Sequence, residues 1–102
     1  MRSPIYATLQ STGLPCAYSH FKQGQVPPYI VYIGDGQTIM HADDTNYWTE
    51  NTYQVEYYYK LKDEQKEADI EEALLDGGYL FEKSEDNYLS DQDVFVIYYY
   101  VS

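Results

Sequence analysis

The stretch from Asn51 to Gly78 most constrains how this chain folds, because the hydrophobic period changes within it. Tyr53, Val55, Tyr57, Tyr59 and Leu61 alternate with Thr52, Gln54, Glu56, Tyr58 and Lys60. Side chains alternate across a strand, so one face is apolar and aromatic and the other mostly polar. At Asp63 the period changes from two to about 3.6, and Glu64 to Asp76 reads as a helix. Ile70, Ala73 and Leu74 form its core stripe, with the Lys66 stem beside them. Gly77-Gly78 ends the helix, since glycine accepts the left-handed backbone that closes one. A strand feeding a covering helix is half of a two-layer domain.

The remaining segments supply the rest of the sheet. Ser3-Pro4 is a helix start, with Ser3 as cap and proline at the first helical position. Ile5 and Leu9 share a face, and Gly13-Leu14-Pro15 stops a helix of roughly nine or ten residues. Cys16 to Phe21 is a short strand. Pro27-Pro28 leads into Tyr29 to Ile33, apolar on both faces and therefore inside the sheet. Gly34-Asp35-Gly36 reads as a turn and Thr38 to Ala42 as a further strand, broken by Asp43-Asp44-Thr45-Asn46. Alternation runs back through Asn51, Thr49 and Tyr47, so one long strand should include Tyr47 to Leu61. Tyr79 to Lys83 should pair antiparallel with the closing run Val94 to Val101, across an acidic connection anchored by Tyr88 and Leu89. The expected fold is α+β, with two helices on one face of a mostly antiparallel sheet of four to six strands, in the order α-β-β-β-β-α-β-β.

A chain of 102 residues is read as one domain, and 44% hydrophobic content argues for a folded one. A net charge of −11, from 17 acids against 6 bases, speaks against binding nucleic acid backbones, which needs clustered Lys and Arg. The single Cys16 forms no internal disulfide and fits a reducing compartment. No uninterrupted apolar run follows Met1-Arg2-Ser3-Pro4, so no signal peptide is expected and the protein is expected to be soluble and made in the cytoplasm. The apolar runs Tyr29 to Ile33 and Val94 to Val101 are too short to span a bilayer.

No enzyme signature stands out. His41 and Asp43 share a strand face, with Asp44 adjacent, but a zinc site needs three or four ligands and the only other histidine is His20. Cys16 with His20 lacks an orienting third group and a basic neighbour, so a buried structural cysteine is the better reading. Gly34-Asp35-Gly36 lacks the lysine and helix of a phosphate loop. We expect no catalytic residues, metal or cofactor.

Two surface features carry more information. Glu64, Glu67, Asp69, Glu71, Glu72 and Asp76 cover most of the second helix, with Lys66 the only helical counter-charge. The plain reading is a solvated acidic face; the functional one is a surface that meets a basic partner or declines to hold DNA. The chain also has 14 tyrosines. Tyr57-Tyr58-Tyr59 and Tyr98-Tyr99-Tyr100 put aromatics on both sheet faces, and two short helices cover only one. Tyr58, Tyr99 and Phe95 are then expected on a face that is either exposed or met by another subunit, and since exposed aromatic patches mark interfaces an oligomer is expected. Asp35, Asp43, Asp44, Trp48, Tyr58 and Tyr99 are the candidate interface residues.

The sequence resembles the small tail-terminator or tail-completion proteins of long-tailed bacteriophages and prophages. The resemblance rests on the opening helix with Gly13-Leu14-Pro15, on Pro27-Pro28-Tyr29-Ile30-Val31-Tyr32 and on His41-Ala42-Asp43-Asp44. It continues through Tyr53-Gln54-Val55-Glu56-Tyr57-Tyr58, Ile70-Glu71-Glu72-Ala73-Leu74 and the tyrosine-rich last strand. It implies a structural virion protein that forms a ring, commonly hexameric, at the head-proximal end of the tail tube. Such a ring stops tube growth, meets the head connector and lets DNA pass through its lumen. The alternative is an acidic DNA mimic that inhibits or regulates a DNA-binding protein.

Overall fold

Alternation from Tyr53 is realised as the second half of a long strand, around which a mixed sheet assembles; the strand ends at Tyr59, short of the expected Leu61, which is exposed. In the computed structural model, which describes residues 2–41 and 47–102 and only the backbone of 38–41 and 47–49, the order is α1 (Ile5–Gln10), β1 (Cys16–Tyr18), β2 (Tyr29–His41), β3 (Tyr47–Tyr59), α2 (Glu64–Asp76), β4 (Phe81–Lys83), β5 (Asn87–Leu89) and β6 (Val94–Val101). The fold is α+β. The six-stranded sheet runs β1-β2-β3-β6-β4, with β5 also on β6. All pairings are antiparallel except β1 with β2. The expected pairing of the Tyr79–Lys83 segment with the last strand is present, Phe81 facing Val101.

Register decides which rings are buried. Tyr57 lies opposite Ile30 and Ile97, and Val55 opposite Tyr32 and Tyr99. These residues, with Tyr59 and Val101, form the face covered by Ile5 and Leu9 of α1 and by Ile70 and Leu74 of α2. Both helices therefore lie on one side. Each fully buried aliphatic side chain there contributes about 1.5–3 kcal/mol relative to exposure.

The two helices meet at glycine. Gly78 has φ +89 and supplies the left-handed turn after α2. Gly77 has an ordinary helical backbone, but a Cβ built on it would lie 2.7 Å from Thr8 Oγ1 and 3.0 Å from Thr8 Cγ2. The Gly77→Ala variant should therefore lose about 1–3 kcal/mol by overpacking. Thr8 Oγ1 is buried without a hydrogen-bond partner. Adding Thr8→Ala should accordingly recover most of the loss, a non-additivity that urea unfolding of the two single variants and the double variant would read.

Several local expectations are corrected. Gly34-Asp35-Gly36 does not turn the chain; it lies within β2, where the ladder shifts register between Gly34 and Gln37 and Gly36 takes φ +94. Turn and bulge use the same residue, because both need positive φ. The predicted Thr38–Ala42 strand is, through His41, the continuation of β2, while Ala42 lies outside the described residues. An additional strand, β5, occupies the acidic connection, so the order is α-β-β-β-α-β-β-β. Ser84 sits between β4 and β5: its backbone N–H donates to Tyr98 O (2.8 Å) and its Oγ accepts from Tyr98 N–H (2.9 Å). α1 is also shorter than expected, and Ser3 does not cap it. The Ser3 amide instead donates to Gly77 O (2.9 Å), and its carbonyl accepts from the Tyr79 hydroxyl (2.6 Å).

Candidate assembly surface

β2 and β3 are each 13 residues long, yet β6 pairs only with residues 53–59 of β3 and β1 only with residues 30–32 of β2. From Gln37 opposite Asn51 to His41 opposite Tyr47, the two strands pair with each other and, among the described residues, with no third strand. At ~3.3 Å per residue this ribbon projects about 20 Å beyond the sheet. It accounts for the elongated outline of 50 × 26 × 24 Å. Its base is fastened from several sides. The Arg2 guanidinium pairs with the Glu50 carboxylate, donates to Asn51 O (3.0 Å) and lies 4.1 Å from the Tyr79 ring centre. Thr52 Oγ1 donates to Asp35 O (2.8 Å), and Gln37 Nε2 to Asn51 Oδ1 (2.8 Å).

At the foot of the arm lies an apolar groove of about 710 Å³, lined by Leu75, Leu80, Phe81 and Tyr100 with Asp35 and Glu82 at its margin. Leu80 is 70% exposed and Leu75 55%. The groove borders β4, the outermost strand on this side.

The candidate residues do not form one site. Asp35 is exposed at the β2 bulge beside the groove. Trp48 lies on the arm, its backbone opposite Met40, while Asp43 and Asp44 lie outside the described residues. Tyr58 is on the sheet face away from the helices, stacked on Tyr29 at 5.0 Å, with its hydroxyl donating to Glu56 Oε1 (2.6 Å). Burial, then that carboxylate, pushes its pKa up. The loop after β1 partly covers this face, with Phe21 edge-on to Tyr29 at 5.3 Å. Tyr99 is a correction. It is 0% exposed and packs under α2, where its hydroxyl donates to Glu71 Oε2 (2.9 Å). Phe95, stacked on Tyr59, lies on that same helix side. Because Val55 faces Tyr99 across the ladder, Tyr98 and Tyr100 are the residues that share a face with Tyr58.

Glu67 also departs from the solvated acidic face expected of α2. It is 2% exposed, and its carboxylate lies between Lys62 Nζ (2.8 Å) and Lys83 Nζ (2.9 Å). Lys83 further pairs with Glu71 (2.9 Å) and Lys62 with Asp86 (3.1 Å). The bond to Glu67 raises the Lys62 pKa; for Lys83, burial lowers it but the bonds to Glu67 and Glu71 outweigh that. Removing one partner of a buried pair costs about 3–5 kcal/mol, but both lysines are partly exposed and rehydrate, so Glu67→Ala should cost about 2 kcal/mol. Glu72→Ala, at an exposed position, should change stability by less than about 0.5 kcal/mol in the same denaturant titration.

Among the described residues, Cys16 does not have the character of an activated nucleophile. Burial raises the Cys16 thiol to about 11, the opposite of an activated thiolate, and His20 is exposed beside Ser19 Oγ (3.2 Å). Among the described residues, no group of three or more His, Cys, Asp or Glu side chains is placed to hold a metal, and no helix is long and apolar enough to cross a membrane. No protein-family model, curated protein or solved structure matches this chain.

Proposed function

We propose that this protein is a structural assembly component of a bacteriophage tail, a terminator that forms a homo-oligomeric ring at the head-proximal end of the tail tube. The observation that carries the reading is the β2–β3 arm. A two-stranded ribbon is marginal on its own in water, and along the outer half of this one neither edge pairs with a further strand among the described residues. By sequence it includes Ile39, Met40, Tyr47 and Trp48. Such an element is completed by a neighbour. The groove beside β4 offers apolar surface of the kind such an arm buries. Arm and groove are different patches, so their contact is head-to-tail, the type that closes into rings.

The charge fits the same role. Glu64, Asp69, Glu72 and Asp76 on α2 are exposed, in a chain of net charge −11. A lumen lined by such a surface repels the phosphate backbone and lets DNA pass without holding it. The ring contacts the major tail tube protein on one side and the head connector on the other. In negative-stain images of tail tubes assembled with and without this protein, its presence should give capped tubes of uniform length. Tubes that continue to elongate, with no density at their ends, would refute the proposal.

A further inference from the structure

The dipeptide Asp-Gly occurs twice in the chain, at Asp35-Gly36 and Asp76-Gly77, and the fold treats the two oppositely. An aspartyl side chain before glycine has one reaction open to it without any partner. The next amide nitrogen attacks Cγ, and glycine has no Cβ to obstruct that approach. The amide must be released from other bonds and free to rotate toward the carboxyl.

Gly77 meets neither requirement. Its N–H donates to Ala73 O (2.9 Å) in the last turn of α2, its carbonyl accepts from the Ser3 amide (2.9 Å), and the residue is buried. The Thr8 side chain fills the space beside it. Asp35-Gly36 lies instead in the β2 bulge, where the ladder with β3 skips both residues between Gly34 and Gln37. Both are exposed, and nothing lies within 4 Å of the place that a Gly36 Cβ would occupy. The Asp35 carboxylate has no hydrogen bond or ion pair among the described residues. Only the backbone is held there, Thr52 Oγ1 lying 2.8 Å from Asp35 O and 3.1 Å from Gly36 O.

We propose that Asp35-Gly36 is a site of spontaneous backbone modification, rearranging through a succinimide to isoaspartate in the folded protein. The Gly36 nitrogen forms a bond to Asp35 Cγ. The Cγ–OH bond of the protonated carboxyl breaks, and that hydroxyl leaves with the amide proton as water. A solvent water then opens the ring by breaking the bond between the Gly36 nitrogen and the Asp35 backbone carbonyl carbon. Water is lost and regained, so nothing is oxidised or reduced and the mass is unchanged. The chain now runs through Cβ and Cγ of Asp35, longer by a methylene, and the former backbone carbonyl becomes a free carboxylate. A bulge sets the bend of its strand, so this insertion re-aims the arm at the point where it leaves the sheet.

The test is ageing of the intact protein in buffer at one pH, folded or in urea. Digestion and peptide mapping, with fragmentation that separates isoaspartate from aspartate, then locate the product. In the folded protein isoaspartate should accumulate at Asp35 at least about tenfold faster than at Asp76, because the Gly77 amide attacks only after the end of α2 opens. In urea the two positions should convert at similar rates. Equal rates at Asp35 and Asp76 in the folded protein, or no product at Asp35 once the urea sample has converted, would each overturn the proposal.

Discussion

Raising the pH above about 10 should unfold this protein cooperatively, with tyrosine ionisation and loss of structure occurring together. Burial first, then the Asp63 and Glu67 carboxylates, lifts Tyr57 from 10.0 to about 12. Burial and Asp86 lift Tyr59 to about 12 as well. Tyr58 and Tyr99 shift the same way, through burial and then Glu56 and Glu71 respectively. These hydroxyls hold their protons more tightly folded than unfolded. Their contribution is therefore complete below pH 10 and is lost as pH rises through the folded values. Lys62 and Lys83, raised above 10.5, act in the same direction. Two pKa units correspond to about 2.7 kcal/mol, and with solvent screening we expect on the order of 2–4 kcal/mol from Tyr57 and Tyr59 together. That is a large share of the ~5–15 kcal/mol that holds a small domain. Tyrosinate absorbance and circular dichroism should change in one steep step, moved to higher pH in Tyr57→Phe. A gradual titration near 10 with the fold intact would contradict the burial of these rings.

Shortening the arm should separate assembly from folding. Replacing residues 37–50 with a tight glycine-containing turn leaves Tyr53 to Tyr59 paired with β6 and Tyr29 to Gly34 paired with β3. The core of Leu9, Ile30, Val55, Tyr57, Ile70, Leu74, Ile97 and Tyr99 lies wholly outside the replaced stretch. The variant should unfold at nearly the parent's denaturant concentration yet fail to cap tubes, a loss of at least about a hundredfold in effective affinity if the arm carries the contact. A shortened variant that still caps tubes would place the contact elsewhere.

What the sequence made legible followed from periodicity. The alternation of β3 and the 3.6-residue repeat of α2 located both elements, and α2 spans the residues expected of it. Positions that depend on a partner strand were opaque. Nothing local distinguishes Tyr98 from Tyr99; only the pairing of Val55 with Tyr99 turns the latter under α2. Gly34-Asp35-Gly36 carries turn chemistry, but an uninterrupted partner strand made it a bulge. Glu67 was legible in principle, since it precedes Ile70 by three residues and Leu74 by seven and so shares their stripe. Its charge obscured this, because Lys62 and Lys83, which neutralise it, lie outside the helix. The arm required knowing where β1 and β6 stop, which no property of β2 or β3 alone reveals.

The central claim, that this chain completes itself through copies of its own kind at the end of a tube, is tested most directly by the mass of the species it forms. Light scattering coupled to size exclusion, with the tube protein present and absent, should show a closed oligomer of several subunits on the tube, and none for the arm-shortened variant. A protein that remains monomeric at every concentration and never associates with tubes would contradict the account.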